Sequence, residues 1–421
     1  MPAHTGASRI GTRLARFRVP TKETGVMAKT CNVALIGQGF MGRTHSNAYL
    51  KVAKFFKDLP RVPVMHTSFG MKEENPPVFA AQWGWKNWSD DWKKVVRNEE
   101  IDFVDIVTPN YMHMPVAMEA IAAGKPVGTE KPLAGTLKDA RRMVEAAKKS
   151  KVKTFVWYNY RRCPAVALAH QLVREGKIGR IFHVRCIYLQ DWGGPATPLL
   201  WRFKKALAGS GAHGDLNAHI IDMARFVTGD EIVEVSGAIA ETFVKERDIP
   251  QAVSAGGITE GSKGGAKKGK VDVDDAVLFL ARFKKGAVAS FECSRLAMGY
   301  LNQNGIEVHG ELGSLRFRFE DMNYLEYLDN TVDKRLRGWT KIMCTSMAKH
   351  PYVHAWWPDA HILGYEHTFV NQAADILRAL SGQKPEVPLP DFADAYETQR
   401  VLEAALISAK TRRAVKMADV K

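Results

Sequence analysis

Asp215, His219 and Asp222 stand at spacings i, i+4 and i+7 within GSGAHGDLNAHIIDMARFVTG, residues 209–229. On a helix that spacing puts all three on one face. A carboxylate one turn before an imidazole can orient the ring and set its basicity, which suits proton abstraction near neutral pH. The same geometry would also serve a cap with an ion pair, or two legs of a metal site. A metal needs further ligands, and no Cys or His cluster lies near to supply them. A fourth reactive group is Lys131, between Glu130 and Pro132. Following a strand and preceding a rigid proline, its ammonium would project from the edge of a sheet and hold a hydroxyl or a developing alkoxide.

These groups need elements to hold them. Residues 32–36, NVALI, read as a buried strand, and Gly37-Gln38-Gly39-Phe40-Met41-Gly42 follows before a helical pattern from Arg43 to about Phe56. A G-x-G-x-x-G between strand and helix lets the chain turn tightly, lets the backbone approach a pyrophosphate and lets the helix pack on the strand. The helix N-terminus then offers N–H groups to the phosphates. An acid about 20 residues on would hold the ribose of NAD; the second strand, 62–68, instead ends on Ser68 with Lys72 beyond. That pair would not repel a 2′-phosphate, so the cofactor expected is NAD or NADP.

Helices at 92–97, 113–123 and 137–150 alternate with strands at 103–108, 126–129 and 153–158. This rhythm specifies a doubly wound α/β parallel sheet, whose ligands lie beyond the carboxyl ends of the strands. Thr108-Pro109-Asn110 and Glu130-Lys131 fall there. After residue 165 one helix gives way to strand-like runs at 181–189, 232–244, 273–283, 287–293, 306–309 and 315–319, several joined by short turns. These predict an α+β half with a large, mainly antiparallel sheet. The expected division is an extension at 1–29, a dinucleotide-binding domain at 30–152 and a substrate-binding and oligomerisation domain at 153–415.

The 421 residues carry 60 Lys and Arg against 45 Asp and Glu, a net +15. Residues 1–26 hold five of those basic groups against one acid, and the Gly- and Lys-rich insert at 255–270 holds four against one. Nearly half of the excess therefore sits in an N-terminal extension and a loop read as a flexible tether, leaving little reason to expect nucleic acid or membrane. The first strong apolar run begins just after Met27, so residues 1–26 are expected to be disordered or to reflect an upstream start codon. Five widely spaced cysteines form no C-x-x-C pair, which suits reduced thiols in the cytoplasm. No stretch approaches the length of a membrane span.

In that order, Gly37 to Gly42, Thr108-Pro109-Asn110, Gly124-Lys125-Pro126-Val127 leading into Glu130-Lys131-Pro132-Leu133-Ala134, and Asp215, His219 and Asp222 resemble the Gfo/Idh/MocA family of oxidoreductases, over about residues 30–410. More loosely they resemble its levoglucosan-dehydrogenase-like branch. The resemblance implies a Rossmann domain plus an open-sheet domain often used to form homo-oligomers, either dimer or tetramer. It implies an NAD(P)-dependent oxidoreductase acting on a sugar, polyol or related carbohydrate, with no metal. Carried over, Lys131 polarises the reacting hydroxyl, His219 is the general base, and Asp215 orients both substrate and His219. Asn159, Tyr160 and Arg161 are implied near nicotinamide and substrate, Trp201 and Arg202 at the cofactor, and His113 near the nicotinamide ribose. An NAD-dependent glycosidase and a non-catalytic sugar- or nucleotide-sensing regulator are the rival readings. The run His354 to Asp359 with Gly364 to His367 could serve sugar stacking, core or interface.

Overall fold

The computed structural model describes residues 28–250, 264–348 and 350–421. The expectation for residues 1–26 lies outside them, as does most of the insert. Lys29 already belongs to the first strand, so the fold starts slightly before the expected boundary.

Six parallel strands form the first sheet: β1 (Lys29–Ile36), β2 (Arg61–Phe69), β3 (Asn87–Ser89), β4 (Phe103–Ile106), β5 (Val127–Thr129) and β6 (Thr154–Val156), in the order β3-β2-β1-β4-β5-β6. The order reverses beside β1, the switch point at which such sheets bind ligands. Helices α1 (Phe40–Phe55), α2 (Pro76–Trp83), α3 (Trp92–Arg97), α4 (His113–Ala122) and α5 (Leu137–Ser150) make the crossovers. Helix α5 starts where predicted because Thr136 Oγ1 accepts the Asp139 N–H, an N-cap. Helix α1 begins three residues earlier than its apolar pattern, since Phe40 and Met41 follow directly on the glycine turn. Strand β6 carries the parallel sheet past residue 152.

After α6 (Pro164–Arg174) comes the second sheet. Its nine strands are β7 (Ile181–Leu189), β8 (Ile232–Glu241), β11 (Ala276–Phe283), β12 (Val288–Ser294), β13 (Gln303–Gly310), β14 (Gly313–Arg318), β15 (Tyr324–Asp329), β16 (Trp339–Met343) and β17 (Val415–Lys416). All neighbours are antiparallel except β7 and β12, between which the chain crosses over through α7 (Lys205–Ala208) and α8 (Ala218–Thr228). Burial alternates along β11 and β12, so one face is packed and the other open. The C-terminal helices α9 (Tyr365–Leu380) and α10 (Phe392–Thr411) return toward the first sheet: Phe392 N–H donates to Thr154 Oγ1 at β6, and the Trp157 and Phe369 rings stack.

The insert is not all tether. Gly264–Lys270 forms β10, paired antiparallel with β9 (Glu246–Pro250). All five cysteines are buried.

The glycine-rich entry to the reactive segment is pinned rather than loose. Asp274 accepts from Gly211 N–H at 2.9 Å and from His213 N–H at 2.7 Å, and its own carbonyl accepts from Ala212 N–H at 3.0 Å. A Cβ on Gly211 would fall on that carbonyl. Gly211→Ala should therefore cost about 1–3 kcal/mol or more, read as a lowered urea midpoint; an unchanged midpoint would mean that the loop yields freely.

Candidate active site

The glycine turn is shaped for close approach. Gly37 has φ of +120°, and a Cβ there would sit 2.9 Å from the Val107 carbonyl oxygen; one on Gly42 would sit 2.7 Å from the Gly37 carbonyl oxygen. Gly39 caps α1 with no side-chain hydrogen bond, so the first N–H groups of the helix lack a side-chain partner. Around them the Gln38 carboxamide and the Ser68 and Thr108 hydroxyls are buried without hydrogen-bond partners. A cradle with buried polar groups that nothing in the protein satisfies fits a dinucleotide.

Lys131 leaves the end of β5 and its Nζ donates to both the Asp215 side chain and the Asp215 carbonyl, each at 2.8 Å. Asp215 does not sit in α8. It belongs to a π-helical turn, His213–Asn217, that precedes it, so the expected common face of Asp215, His219 and Asp222 does not form as a regular helix would give it. Its second oxygen accepts from the Arg295 guanidinium at 2.9 Å. Burial acts to raise the Asp215 carboxyl, but the charges of Lys131, Arg295 and Arg202 outweigh it and hold the group far below the usual carboxylate range. With both oxygens taken, Asp215 makes no hydrogen bond to His219, whose Nδ1 is buried and unpartnered. Burial, reinforced by Lys131, pushes the His219 pKa well below its ordinary value. The ring is thus neutral at physiological pH and able to accept a proton.

Aromatic side chains connect the glycine turn to His219. The Phe40 ring lies parallel to Tyr365, Tyr365 meets Phe319, Phe319 lies 4.9 Å from Tyr160, and Tyr160 lies 4.6 Å from His219. Tyr160 and Tyr188 share a hydroxyl contact of 2.7 Å, and Tyr188 donates to Asn302. Arg202 stacks over Trp201 with its guanidinium 4.5 Å from the ring centroid.

Several expected site residues have other duties. His113 is fully buried with both ring nitrogens 3.0 Å from backbone carbonyls, of Thr108 and Pro132; it braces the two loops and is closed to a ribose. Arg161 and Asp222 are taken up by each other and by Asp394 and Arg225 in a buried network, because charges at that depth must be paired. Asp222 is thereby removed from the His219 site, and Arg161 from contact with a substrate. Asn159 donates to Thr368 on α9, and Asn110 to the Ala208 carbonyl, tying the first sheet to α7. Trp356 and Trp357 surround Phe55 at the far end of α1, leaving Tyr365 as the member of that aromatic run in the wall. Arg295, Tyr188 and Phe319 escaped the sequence reading altogether: they lie on or beside strands, where nothing in their spacing marks them.

Residues 31–158 match the model of an oxidoreductase family with an NAD-binding Rossmann fold, and 166–316 match the GFO/IDH/MocA C-terminal domain. Levoglucosan dehydrogenase of Pseudarthrobacter phenanthrenivorans is 39% identical over 381 residues, 90% of this chain and 96% of the relative. A solved levoglucosan dehydrogenase in complex with NADH and levoglucosan superposes with a TM-score of 0.85 at 38% identity, covering 92% of this chain and 100% of that one. An oxidoreductase domain protein from Kribbella flavida has a TM-score of 0.85 at 43% identity, covering 92% and 99% of the two chains.

Since Lys131 depresses the His219 pKa, Lys131→Met should raise it toward 6.5. NMR titration of labelled imidazoles checks this; an unmoved His219 would uncouple the two groups.

Proposed function

The chain belongs to the Gfo/Idh/MocA family of NAD(P)-binding oxidoreductases acting on sugars and polyols, and on that premise we propose that Lys131, Asp215 and His219 form the catalytic set of a sugar, polyol or glycoside dehydrogenase. The observation that carries this reading is a lysine ammonium held 2.8 Å from an ionised aspartate beside a neutral, buried histidine whose Nδ1 has no partner.

The turn Gly37 to Gly42 and the N-terminus of α1 would hold the pyrophosphate of the cofactor, with Gln38, Ser68 and Thr108 offering hydrogen bonds and Phe40, Met41, Pro109 and Trp201 flanking it. When bound, NAD(P)⁺ would supply the hydride acceptor for oxidation at the carbinol carbon. Lys131 donates a hydrogen bond to the reacting hydroxyl and stabilises the negative charge that grows there. His219 takes the hydroxyl proton. Asp215 fixes Lys131 and is itself fixed by Arg295, so the ammonium is aimed before substrate arrives. The Tyr160 and Tyr188 hydroxyls and the Arg202 guanidinium face the sugar. The name of the 39%-identical relative favours an anhydrosugar or pyranoside among substrates.

Ser68, Phe69, Gly70, Met71 and Lys72 follow one another at the end of β2 with no carboxylate among them, while Glu74 Oε2 accepts the Met71 N–H at 2.9 Å, so the cofactor is NAD or NADP and the two arms of the screen below choose between them. Ile239, Leu278, Leu280 and Val288 share the open face of the second sheet and are exposed. That contiguous apolar patch suits a subunit contact, giving a homo-oligomer.

A screen of monosaccharides, anhydrosugars, polyols and glycosides with NAD⁺ and NADP⁺ should give net NAD(P)H formation with at least one of them. Turnover of a glycoside without net reduced cofactor would favour transient oxidation, and no binding of either cofactor would end the reading. His219→Ala should lower kcat by about 10²- to 10⁴-fold with cofactor affinity nearly intact; full activity removes His219 from the mechanism. Light scattering should show a dimer or tetramer that Leu280→Asp dissociates, and a monomeric wild-type chain would refute the contact.

A further inference from the structure

His45 lies on α1, three residues after Gly42, and is fully buried. Its Nδ1 is 2.7 Å from Asp105 Oδ2 on β4, and its Nε2 is 3.1 Å from Glu130 Oε1 beyond β5. An ionised carboxylate only accepts hydrogen bonds. Carboxylate oxygens at both nitrogens of one ring therefore call for both N–H groups, which is the imidazolium. Tyr49 donates its hydroxyl to Asp105 Oδ2 at 2.7 Å and Trp157 its Nε1–H to Oδ1 at 2.8 Å, so Asp105 is fully engaged and immobile. The Trp157 and Phe369 rings enclose the imidazole at 4.2 and 5.4 Å.

The other side of this chain reaches the active site. Glu130 Oε2 accepts the backbone N–H of Lys131 at 3.1 Å, and the Lys131 ammonium is the group seated on Asp215. A continuous path thus runs from the helix of the dinucleotide turn through His45 and Glu130 to the lysine arm. The titratable groups facing His45 are Asp105, Glu130 and Tyr49. Burial acts to lower the imidazole pKa, yet the two carboxylates raise it to about 9, while burial lifts the Tyr49 phenol and keeps it a donor.

We propose that His45 is a positioning residue: its doubly protonated ring clamps Glu130, which fixes the Lys131 arm against Asp215, and loss of one ring proton releases that arm. This inference rests on the dehydrogenase reading for its kinetic consequence alone. The imidazolium persists at neutral pH. Because its folded pKa is raised, its contribution to stability is complete below about 6.5 and is lost as pH rises through about 9.

The test combines NMR of ¹⁵N-histidine-labelled full-length protein with kinetics. The His45 resonance should titrate near pH 9, and kcat on a turned-over sugar should fall through the same range. His45→Gln keeps one donor but cannot carry the charge. It should lower kcat by about 10- to 100-fold, abolish the alkaline limb, leave NADH affinity nearly unchanged and let the His219 titration rise as Lys131 drifts away. Glu130→Gln, which removes one carboxylate, should move the His45 titration down; it keeps the proposal testable where His45→Gln does not fold. A His45 that titrates at or below pH 7, or a Gln variant with wild-type kcat, alkaline limb and His219 titration, overturns the clamp. Should no sugar be turned over, the two titrations still decide it, and the failure falls on the dehydrogenase reading.

Discussion

The contact on which the site depends is the ion pair between Lys131 and Asp215, because its partners come from opposite parts of the fold. Lys131 lies just beyond a strand of the parallel sheet, and Asp215 sits in a π-helical turn packed against the second sheet. A pair this enclosed stands only when both members are held by further hydrogen bonds, since desolvation otherwise cancels the attraction. Both are. Arg295 grips Asp215 from the second domain while stacking over Trp192, and Glu130 grips the Lys131 backbone from the first. Neither domain alone would set the distance between ammonium and carboxylate.

Charge is distributed unevenly about this pair. Behind Lys131 lie two carboxylates sharing one imidazole; around Asp215 lie Lys131, Arg295 and Arg202. The cleft is therefore negative beneath the end of the dinucleotide turn and positive where a hydroxyl would lose its proton. Under the proposed function, that polarity would favour a cationic ring on one side and an alkoxide on the other. It also accounts for a neutral His219: burial starts the displacement of its pKa and the nearby ammonium completes it.

The parallel sheet was legible because its signals are local. An apolar run of five residues, a glycine turn and a helix of matched length announce one another, and the predicted strands fall within a few residues of those found. Lys131 was legible for the same reason, since its neighbours fix its place at a sheet edge. Asp215 and His219 stand close to one another, as their spacing suggested, but not in the relation it suggested. Regular helical spacing implied a carboxylate bonded to an imidazole, whereas the π-turn redirects Asp215 to Lys131 and Arg295. Arg295 follows β12, and Tyr188 lies on β7; they approach the site only through strand pairing across long loops, which spacing in one dimension does not encode.

Asp222 and His113 show why residue type and spacing overpredict sites. A buried charge must find a partner, and which charge ends in the cleft depends on which guanidinium lies nearer once the helices pack. Asp222 met Arg161 in a buried network; Asp215 met Lys131 and Arg295, and both side chains of the Lys131–Asp215 pair keep some exposure. The unsatisfied polar atoms draw the same line. Where a polar group serves the fold, as His113 does, both of its nitrogens are engaged. At Gln38, Ser68, Thr108 and His219 hydrogen-bonding capacity is left unused, as it also is at Asn304, Thr345 and Gln372 away from the glycine turn; it is their place, at that turn, at the ends of β2 and β4 and at the proposed base, that sets the four apart. Depth alone does not separate the two kinds of residue, since all five are wholly or largely buried; unused hydrogen-bonding capacity marks a site only where the backbone has also been shaped for close approach, as it is at Gly37 and Gly42.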